Sequence, residues 1–300
     1  MRKSIALCFL AACCTLISHS QKSSSEKVLP KKLRKELSFI PGGKSVLEKD
    51  TTVVQAFFIK REEVKQQEYA AFLAHLRATK NEETLRIAAI DSMGWVAVGP
   101  HNQPYVTYYH SHPAYALYPI VNISYEAALA YCTWYEEELN KQLAGKYTAK
   151  VSLPTTSEWI RAVRGDEHFY HYAWGGPYLR NALGRALCNY AMVGDEAITR
   201  NAETRKPEVL TTAIAGPVLI AGHLSDNADI LAPTYTYPPN LFGLHNMNGN
   251  AREMTVTKGV CIGGSWRDTG YDVRNESIAS YSTSACDLSF RPIVRLVANK

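Results

Sequence analysis

The chain has 300 residues, 46% of them hydrophobic and 20% charged, the composition of an ordinary globular protein rather than of a disordered or collagen-like one. That length allows one large domain or two small ones, with apolar surface enough to fill a core without disulfide staples. The formal charge is +5, but eight basic residues lie between Arg2 and Lys35 against Glu26 alone, so the rest is close to neutral, which argues against nucleic-acid binding.

Residues 1–20 read as an export signal. Arg2 and Lys3 form a charged start, residues 5–17 are apolar except for Thr15, and Ser18 and Ser20 offer small residues for cleavage before Gln21. The apolar run is too short for a membrane span, which needs ~20 residues. A second reading stands beside this one. Leu10, Ala11, Ala12 and Cys13 match the bacterial lipobox, in which Cys13 would carry lipid and anchor the protein to a membrane. On either reading the chain leaves the cytoplasm, as an outer-membrane lipoprotein or as a periplasmic or secreted protein. Residues 21–37 are rich in Lys and Ser, contain Pro30, and predict a basic solvated linker. The globular domain is expected over 38–300.

The run PGGKS at 41–45 has Ser38 where a phosphate loop needs its first glycine, so a turn between two strands is expected. Residues 51–60 alternate and are β-branched and aromatic, which predicts a strand. Tyr69, Phe72, Leu73 and Leu76 fall at helical spacing and predict a helix over 65–79. Residues 95–118 concentrate Tyr105, Tyr108, Tyr109, His110, His112, Tyr115 and Tyr118. Such a strip could bind peptide or glycan, and the His pair could ligate a metal on a strand. The favoured reading is a long loop packed onto the domain by its rings. His168 and His171 could share a helix face, but no third metal ligand accompanies them.

Ser124 is placed to cap a helix over 125–143, with Ala127, Ala128, Tyr131 and Trp134 or Tyr135 facing inward and Gly145 past its end. Thr156 or Ser157 caps a second helix through Trp159 and Val163, stopped by Gly165. Residues 206–239 hold five prolines and predict an irregular loop crossing the domain. Cys8, Cys13 and Cys14 fall in the signal. Cys132, Cys188, Cys261 and Cys286 remain, a number that permits disulfides with three possible pairings. Cys132 sits in a helical apolar pattern and reads as a packing residue. The chain has no CxxC, so no structural zinc is expected.

Most of the arguable chemistry lies in 241–254. Asn246, Asn248 and Asn250 alternate with Met247, Gly249 and Ala251, which favours tight turns. The Asn246 side chain, the Gly249 and Ala251 carbonyls and the Glu253 carboxylate are hard oxygen donors within eight residues, a set that suits Ca²⁺. The competing reading is a turn whose Asn side chains bond their own backbone.

The pattern N-x-x-G-N-A-x-E at 246–253 is followed by GGSW at 263–266 and SFR at 289–291. Upstream come FIPGG at 39–43, PIVNISY at 119–125, AYCTW at 130–134, LPTTSEW at 153–159 and YAWG at 172–175. In order and spacing this resembles the formylglycine-generating, sulfatase-modifying-factor family from about residue 38 onward. Phe57, Ile59, Glu63, Val64 and Tyr69 fit the family's early run, although Lys65 and Gln66 replace its T-N pair. The resemblance implies an α+β fold, a C-type-lectin-like variant with short strands, few helices and long ordered loops.

The resemblance also implies structural calcium, with Asn246, Gly249, Ala251 and Glu253 in one site. A first site would use Asn189, Tyr190 and Asp195, at a spacing shorter than the family's. The family's oxidase holds copper with two cysteines. Here those positions are Asp268 and Val273, and neither supplies the soft thiolate that Cu(I) requires. Copper and the oxidase activity are therefore not carried over. Cys261 and Cys286 could replace the pair only in a different site geometry.

The runs HPAYALYPIV at 112–121 and WGGPY at 174–178 look like the gliding-motility and type IX secretion lipoproteins of this superfamily, which are structural components of an envelope complex. Three function classes follow. The first is a non-catalytic cell-envelope scaffold with envelope protein partners. The others are an oxidase with rearranged cysteines and a sugar- or peptide-binding module on the Tyr-rich loop. No G-x-S-x-G elbow supports a serine hydrolase.

Overall fold

The computed structural model describes residues 28–47, 50–99, 102–143, 145–191, 198–201, 203–204, 207–209, 228 and 230–299. The export signal with Cys13, the residue Asp195 and most of the expected 206–239 loop lie outside these residues.

The first helix among the described residues is short, α1 (Leu33–Glu36), and runs into β1 (Leu37–Ile40). Leu29, Leu33 and Leu37 are buried in the main core. The expected linker therefore gives way to packed structure from residue 28. Lys31, Lys32 and Lys35 between these leucines are exposed and keep their charges in water. β2 (Gly43–Leu47) follows the expected turn and pairs with β3 (Asp50–Val54). The single strand expected over 51–60 is broken at Gln55 and Ala56, because β4 (Phe57–Lys60) leaves that hairpin to pair with β1.

The larger sheet has the order β1-β4-β12-β5, with β5 (Tyr147–Ser152) and β12 (Ile293–Ala298). All its pairings are antiparallel, and β12 lies between β4 and β5, so the two ends of the domain share one sheet. The second sheet has the order β10-β9-β8-β11. It comprises β8 (Arg252–Met254), β9 (Val260–Ile262), β10 (Ile278–Ser280) and β11 (Leu288–Ser289), with β11 parallel to β8. β6 (Ile198–Arg200) and β7 (Pro207–Val209) form a separate pair.

The helices are α2 (Gln66–Ala78), α3 (Glu82–Ile87), α4 (Gln103–Tyr108), α5 (Tyr125–Gln142) and α6 (Thr156–Arg164). Ser124 caps α5 as expected, its hydroxyl accepting from the Ala127 amide. α6 is capped one residue before the expected position. Thr155 accepts from the Glu158 amide while the Glu158 carboxylate accepts from the Thr155 amide, a reciprocal box that Thr156 or Ser157 could not complete. The buried face of α5 includes Tyr131, Cys132, Tyr135 and Leu139, packed with Tyr69, Phe72 and Phe290. In the aromatic stretch, Trp95 and Tyr109 are fully buried and pack at tilted and edge-on angles with Tyr105, Tyr115 and Tyr118. His110 lies between Gln66 and Asn122, with one ring nitrogen near each. The rings pack the loop.

Candidate functional site

Glu63 follows β4, and its side chain enters a polar layer between the two sheets' ends. Asn246, Asn250, Glu253 and Arg291 join it, and every one of the five is at most 3% exposed. Arg291 donates from Nε and Nη2 to Glu253 Oε1, at 2.9 and 2.7 Å. It also donates to the carbonyls of Lys60 and His245. Trp159 donates its indole N–H to Glu253 Oε2 at 2.7 Å. Glu63 accepts from Asn250 Nδ2 at 2.9 Å, and its other oxygen lies 3.8 Å from Arg291 Nη2. Two carboxylates thus share one guanidinium. Burial pushes the Glu63 carboxyl up to about 8, Arg291 pulling it down and the Glu253 charge adding to the rise.

Sequence alone placed Asn246, Gly249, Ala251 and Glu253 in one stretch and Asn189 and Tyr190 in another. The structure brings the stretches together. The Asn250 amide donates to the Asn189 carbonyl at 2.8 Å, and Asn189 Nδ2 donates to Asn250 Oδ1 at 3.3 Å. Gly249, at φ 72°, makes this approach possible, because a Cβ there would lie 2.1 Å from the Asn189 carbonyl oxygen. Tyr190 is buried with Tyr172, Cys188 and Val273.

Nor do the asparagines mainly bond their own backbone. Asn250 bonds the Ala232 amide, Asn248 the Ala173 amide and the Val273 carbonyl, and Asn189 the Ile230 carbonyl. Amide side chains are thus one tie that holds the long loops to each other. Glu63, Asn250, Trp159 and Arg291 were not read as site residues. Glu63 and Arg291 already stood in the quoted motifs, but nothing in their spacing could show that they meet.

Some oxygens in and beside this stretch are left unpaired, as the ligands of a hard cation must be. Asn246 Oδ1 is buried and has no hydrogen-bond partner. Ser289 Oγ, on the residue registered opposite Glu253, is likewise buried and unpartnered. A carboxylate has about four lone-pair positions, and the three N–H groups on Glu253 leave one, on Oε2.

The two positions where the family's oxidase has thiolates lie elsewhere. The GGSW turn is built on Gly264, at φ 66°, where a Cβ would lie 2.7 Å from the Val273 side chain and the Asp272 carbonyl. Asp268 accepts from Ser265 Oγ at 2.7 Å and lies 3.5 Å from Arg252 Nε. Arg252 also pairs closely with Asp287, and Arg267 stands 3.7 Å from the same Asp287 oxygen. Burial raises the Asp268 carboxyl, while Arg252 and the Ser265 hydroxyl oppose the rise. Val273 is fully buried.

Cys132, Cys188, Cys261 and Cys286 are all buried, and no disulfide joins them. Cys132 and Cys261 lie in the main core, Cys188 beside Val273 and Cys286 beside Trp266. Burial pushes the Cys261 thiol up to about 11 and that of Cys286 to about 12, and raises Cys132 further still. These three are therefore neutral thiols near pH 7.

An α+β domain of short strands and long, asparagine-tied loops, with a GGSW turn set beside a buried carboxylate–arginine layer, is the architecture expected of the sulfatase-modifying-factor type. The profile of the Sulfatase-modifying factor enzyme 1-like domain matches residues 24–291, and the chain belongs to that family. Among curated relatives, the formylglycine-generating enzyme of Bos taurus is 29% identical over 140 residues, which is 46% of this chain and 26% of that enzyme. The formylglycine-generating enzyme of Streptomyces coelicolor is 33% identical over 136 residues, 45% of this chain and 31% of its own length. The matched region thus spans under a third of these relatives.

Solved structures share the fold over more of the chain. CarF superposes with a TM-score of 0.52 at 18% identity, covering 87% of this chain and 98% of CarF. PvdO from Pseudomonas aeruginosa gives 0.50 at 15%, covering 86% and 94%.

Proposed function

We propose that this protein is a non-catalytic member of the family that works at the cell envelope as a scaffold or partner-binding component. The observation that carries this reading is the fate of the two thiolate positions. Asp268 is committed to Ser265 and Arg252, and Val273 is sealed in an apolar cluster. Neither can bind Cu(I), and the buried thiols of Cys261 and Cys286 stay protonated near neutral pH. Incubation with copper, O₂ and a cysteine-bearing sulfatase peptide is expected to give no aldehyde by mass spectrometry. Aldehyde formation abolished by Cys261→Ser or Cys286→Ser would instead establish an oxidase with rearranged cysteines. That second reading draws on the curated relatives, which are formylglycine-generating enzymes.

The envelope part of the reading rests on the export signal and on the runs that look like gliding-motility and type IX secretion lipoproteins. Its partners would be envelope proteins, recovered by pull-down from envelope fractions. Intact-mass analysis of the native protein distinguishes a lipidated Cys13, which favours a membrane-anchored scaffold, from a free N-terminus at Gln21. An unprocessed chain recovered in the cytosol would overturn both. We also assign Asn246, Gly249, Ala251 and Glu253 to a structural Ca²⁺, whose chemistry here would be to neutralise buried oxygens and rigidify the loop. Asn189 and Tyr190 stand next to this stretch and would share in a first site with Asp195.

A further inference from the structure

Lys31, Lys32, Arg34 and Lys35, on α1 and the turn before it, are all exposed. The leucines around them are not. Leu29, Leu33 and Leu37 are at most 2% exposed and sit in the main core. The stretch is therefore pinned to the domain, and its basic side chains leave the surface from fixed positions. Hydrogen bonds to its backbone hold it further. Arg34 donates from Nε to the Leu29 carbonyl at 2.9 Å, and Arg61 donates to the Arg34 and Leu37 carbonyls. Glu36 is the one acid between Val28 and Ile40, and it is half-buried, with its charge acting on Lys65, Tyr131 and Tyr135.

These charges have no counterpart in the fold. Lys60, Lys65, Lys141, Lys150 and Lys258 each pair with a glutamate, whereas Lys31, Lys32 and Lys35 have no ion pair among the described residues. The other unpaired lysines of the described residues, Lys44, Lys80 and Lys146, are scattered over β2, the turn between α2 and α3, and the approach to β5. Residues 1–37 hold eight of the 33 basic residues and two of the 28 acidic ones, so 38–300 carry 25 basic and 26 acidic residues. The bunched lysines thus stand on a domain that is otherwise close to neutral. Val28, 37% exposed, adds an apolar group at the head of the stretch.

We propose that this face lies against an anionic bilayer, with Lys31, Lys32, Arg34 and Lys35 among phospholipid phosphates. Charge complementarity selects the partner's sign, since unpaired cations gathered on one side of a neutral domain are drawn to a negative surface. The residue types favour a bilayer over an acidic protein segment. Three of the four are lysines, whose compact ammonium groups lack the planar fork that matches a fixed carboxylate, and which suit mobile headgroups that gather around each charge. An exposed apolar residue beside them suits the interfacial layer, where Val28 can leave water. Cys13 lies fifteen positions before Val28 in sequence, so a lipid there would bring this face to the bilayer first. The inference rests on the envelope location proposed above and adds to it the side of the domain that meets the membrane. It needs no lipid on Cys13.

The test is vesicle co-sedimentation of the chain from Gln21 to Lys300, which holds every described residue and carries no lipid. Phosphatidylcholine vesicles containing one-third phosphatidylglycerol should bind it, and pure phosphatidylcholine vesicles should not. Each basic residue near such a surface is worth about fivefold in partitioning, so Lys31→Gln, Lys32→Gln and Lys35→Gln together should lower binding about a hundredfold. The charge-matched control, Lys44→Gln with Lys80→Gln and Lys146→Gln, should stay within about threefold of the parent, because charges beyond a Debye length of the bilayer are screened. All six side chains are exposed, so both variants should keep the parent's Tm. No binding to the anionic vesicles, or equal binding to both kinds, would overturn the proposal. Equal losses in the two triple variants would reduce the effect to net charge and overturn it as well. Preference for a poly-glutamate peptide over the vesicles would make the face a site for acidic protein, with the same consequence. The two readings fail separately: recovery of the chain in the cytosol strikes the location, and loss of vesicle binding strikes this face.

Discussion

Two clusters in this molecule have the same formula and different surroundings. In each, two carboxylates surround one arginine. Glu63 and Glu253 share Arg291, and Asp268 and Asp287 share Arg252. In the first, all three side chains are at most 1% exposed. In the second, Arg252 is 22% exposed and Asp268 25%, while Asp287 is fully buried. The fully buried cluster has no water to screen it, so its second carboxyl is driven far enough up to stay protonated near neutral pH. The half-open cluster keeps solvent on one side and is further balanced by Arg267. Two carboxylates around one arginine therefore give a rigid buried tie in one place and, with Arg267 added and Arg252 and Asp268 partly exposed, a half-open network in the other. Exposure decides which, because the energy of removing a charge from water exceeds the differences in pair geometry.

Removing each arginine in turn should separate the two clusters most. Arg291→Met leaves Glu253 buried without its cation, and should cost about 3–5 kcal/mol in urea unfolding. Arg252→Met should cost less, about 1–2 kcal/mol, because Arg267 stays 3.7 Å from the buried Asp287 and water can reach the freed Asp268. Equal losses at the two positions would show that exposure does not set the difference.

Calcium separates the clusters next. At a free concentration of roughly a hundred times its Kd, Ca²⁺ should add about 2.7 kcal/mol to stability by binding the native state alone. Asn246→Ala should abolish that gain and Asp268→Asn should leave it intact. Coincident melts in Ca²⁺ and in chelator would remove calcium from the account.

A third polar position must be controlled before either cluster is titrated. Burial holds His110 down to about 4, against ~6.5 for the unfolded chain. Between those values the unfolded chain takes up a proton that the folded protein refuses. Its contribution is therefore whole above about pH 6.5 and falls away as the pH drops toward 4, by roughly 3 kcal/mol in all. His110→Asn should flatten that acid limb. An unchanged limb would assign the acid loss to other groups.

Much of the architecture was legible in local sequence. The α5 helix could be read from Ser124, its apolar spacing and Gly145, and the α6 helix from the Thr-rich cap before Trp159. Those features act within one or two turns, so the chain states them directly. The family could be read as well, from the order of short motifs whose glycines and asparagines fix particular backbone angles. Composition misled at residues 28–37, where lysines suggested a solvated linker and the leucines between them decided otherwise.

What the sequence determined by itself was which side chains were available: a GGSW turn with Asp268 and Val273 in place of thiolates, and a row of asparagines before Glu253. Tertiary structure alone decided what they meet. Arg291 reaches Glu253 across 38 positions and Asn250 reaches Glu63 across 187. Such contacts leave no periodic trace, because neither partner's neighbours along the chain need to change for the pair to form. Burial is equally a property of the packed whole. It pushes the Glu63 carboxyl up to about 8 and leaves Arg252 and Asp268 partly exposed, although both clusters are built from carboxylates and arginine.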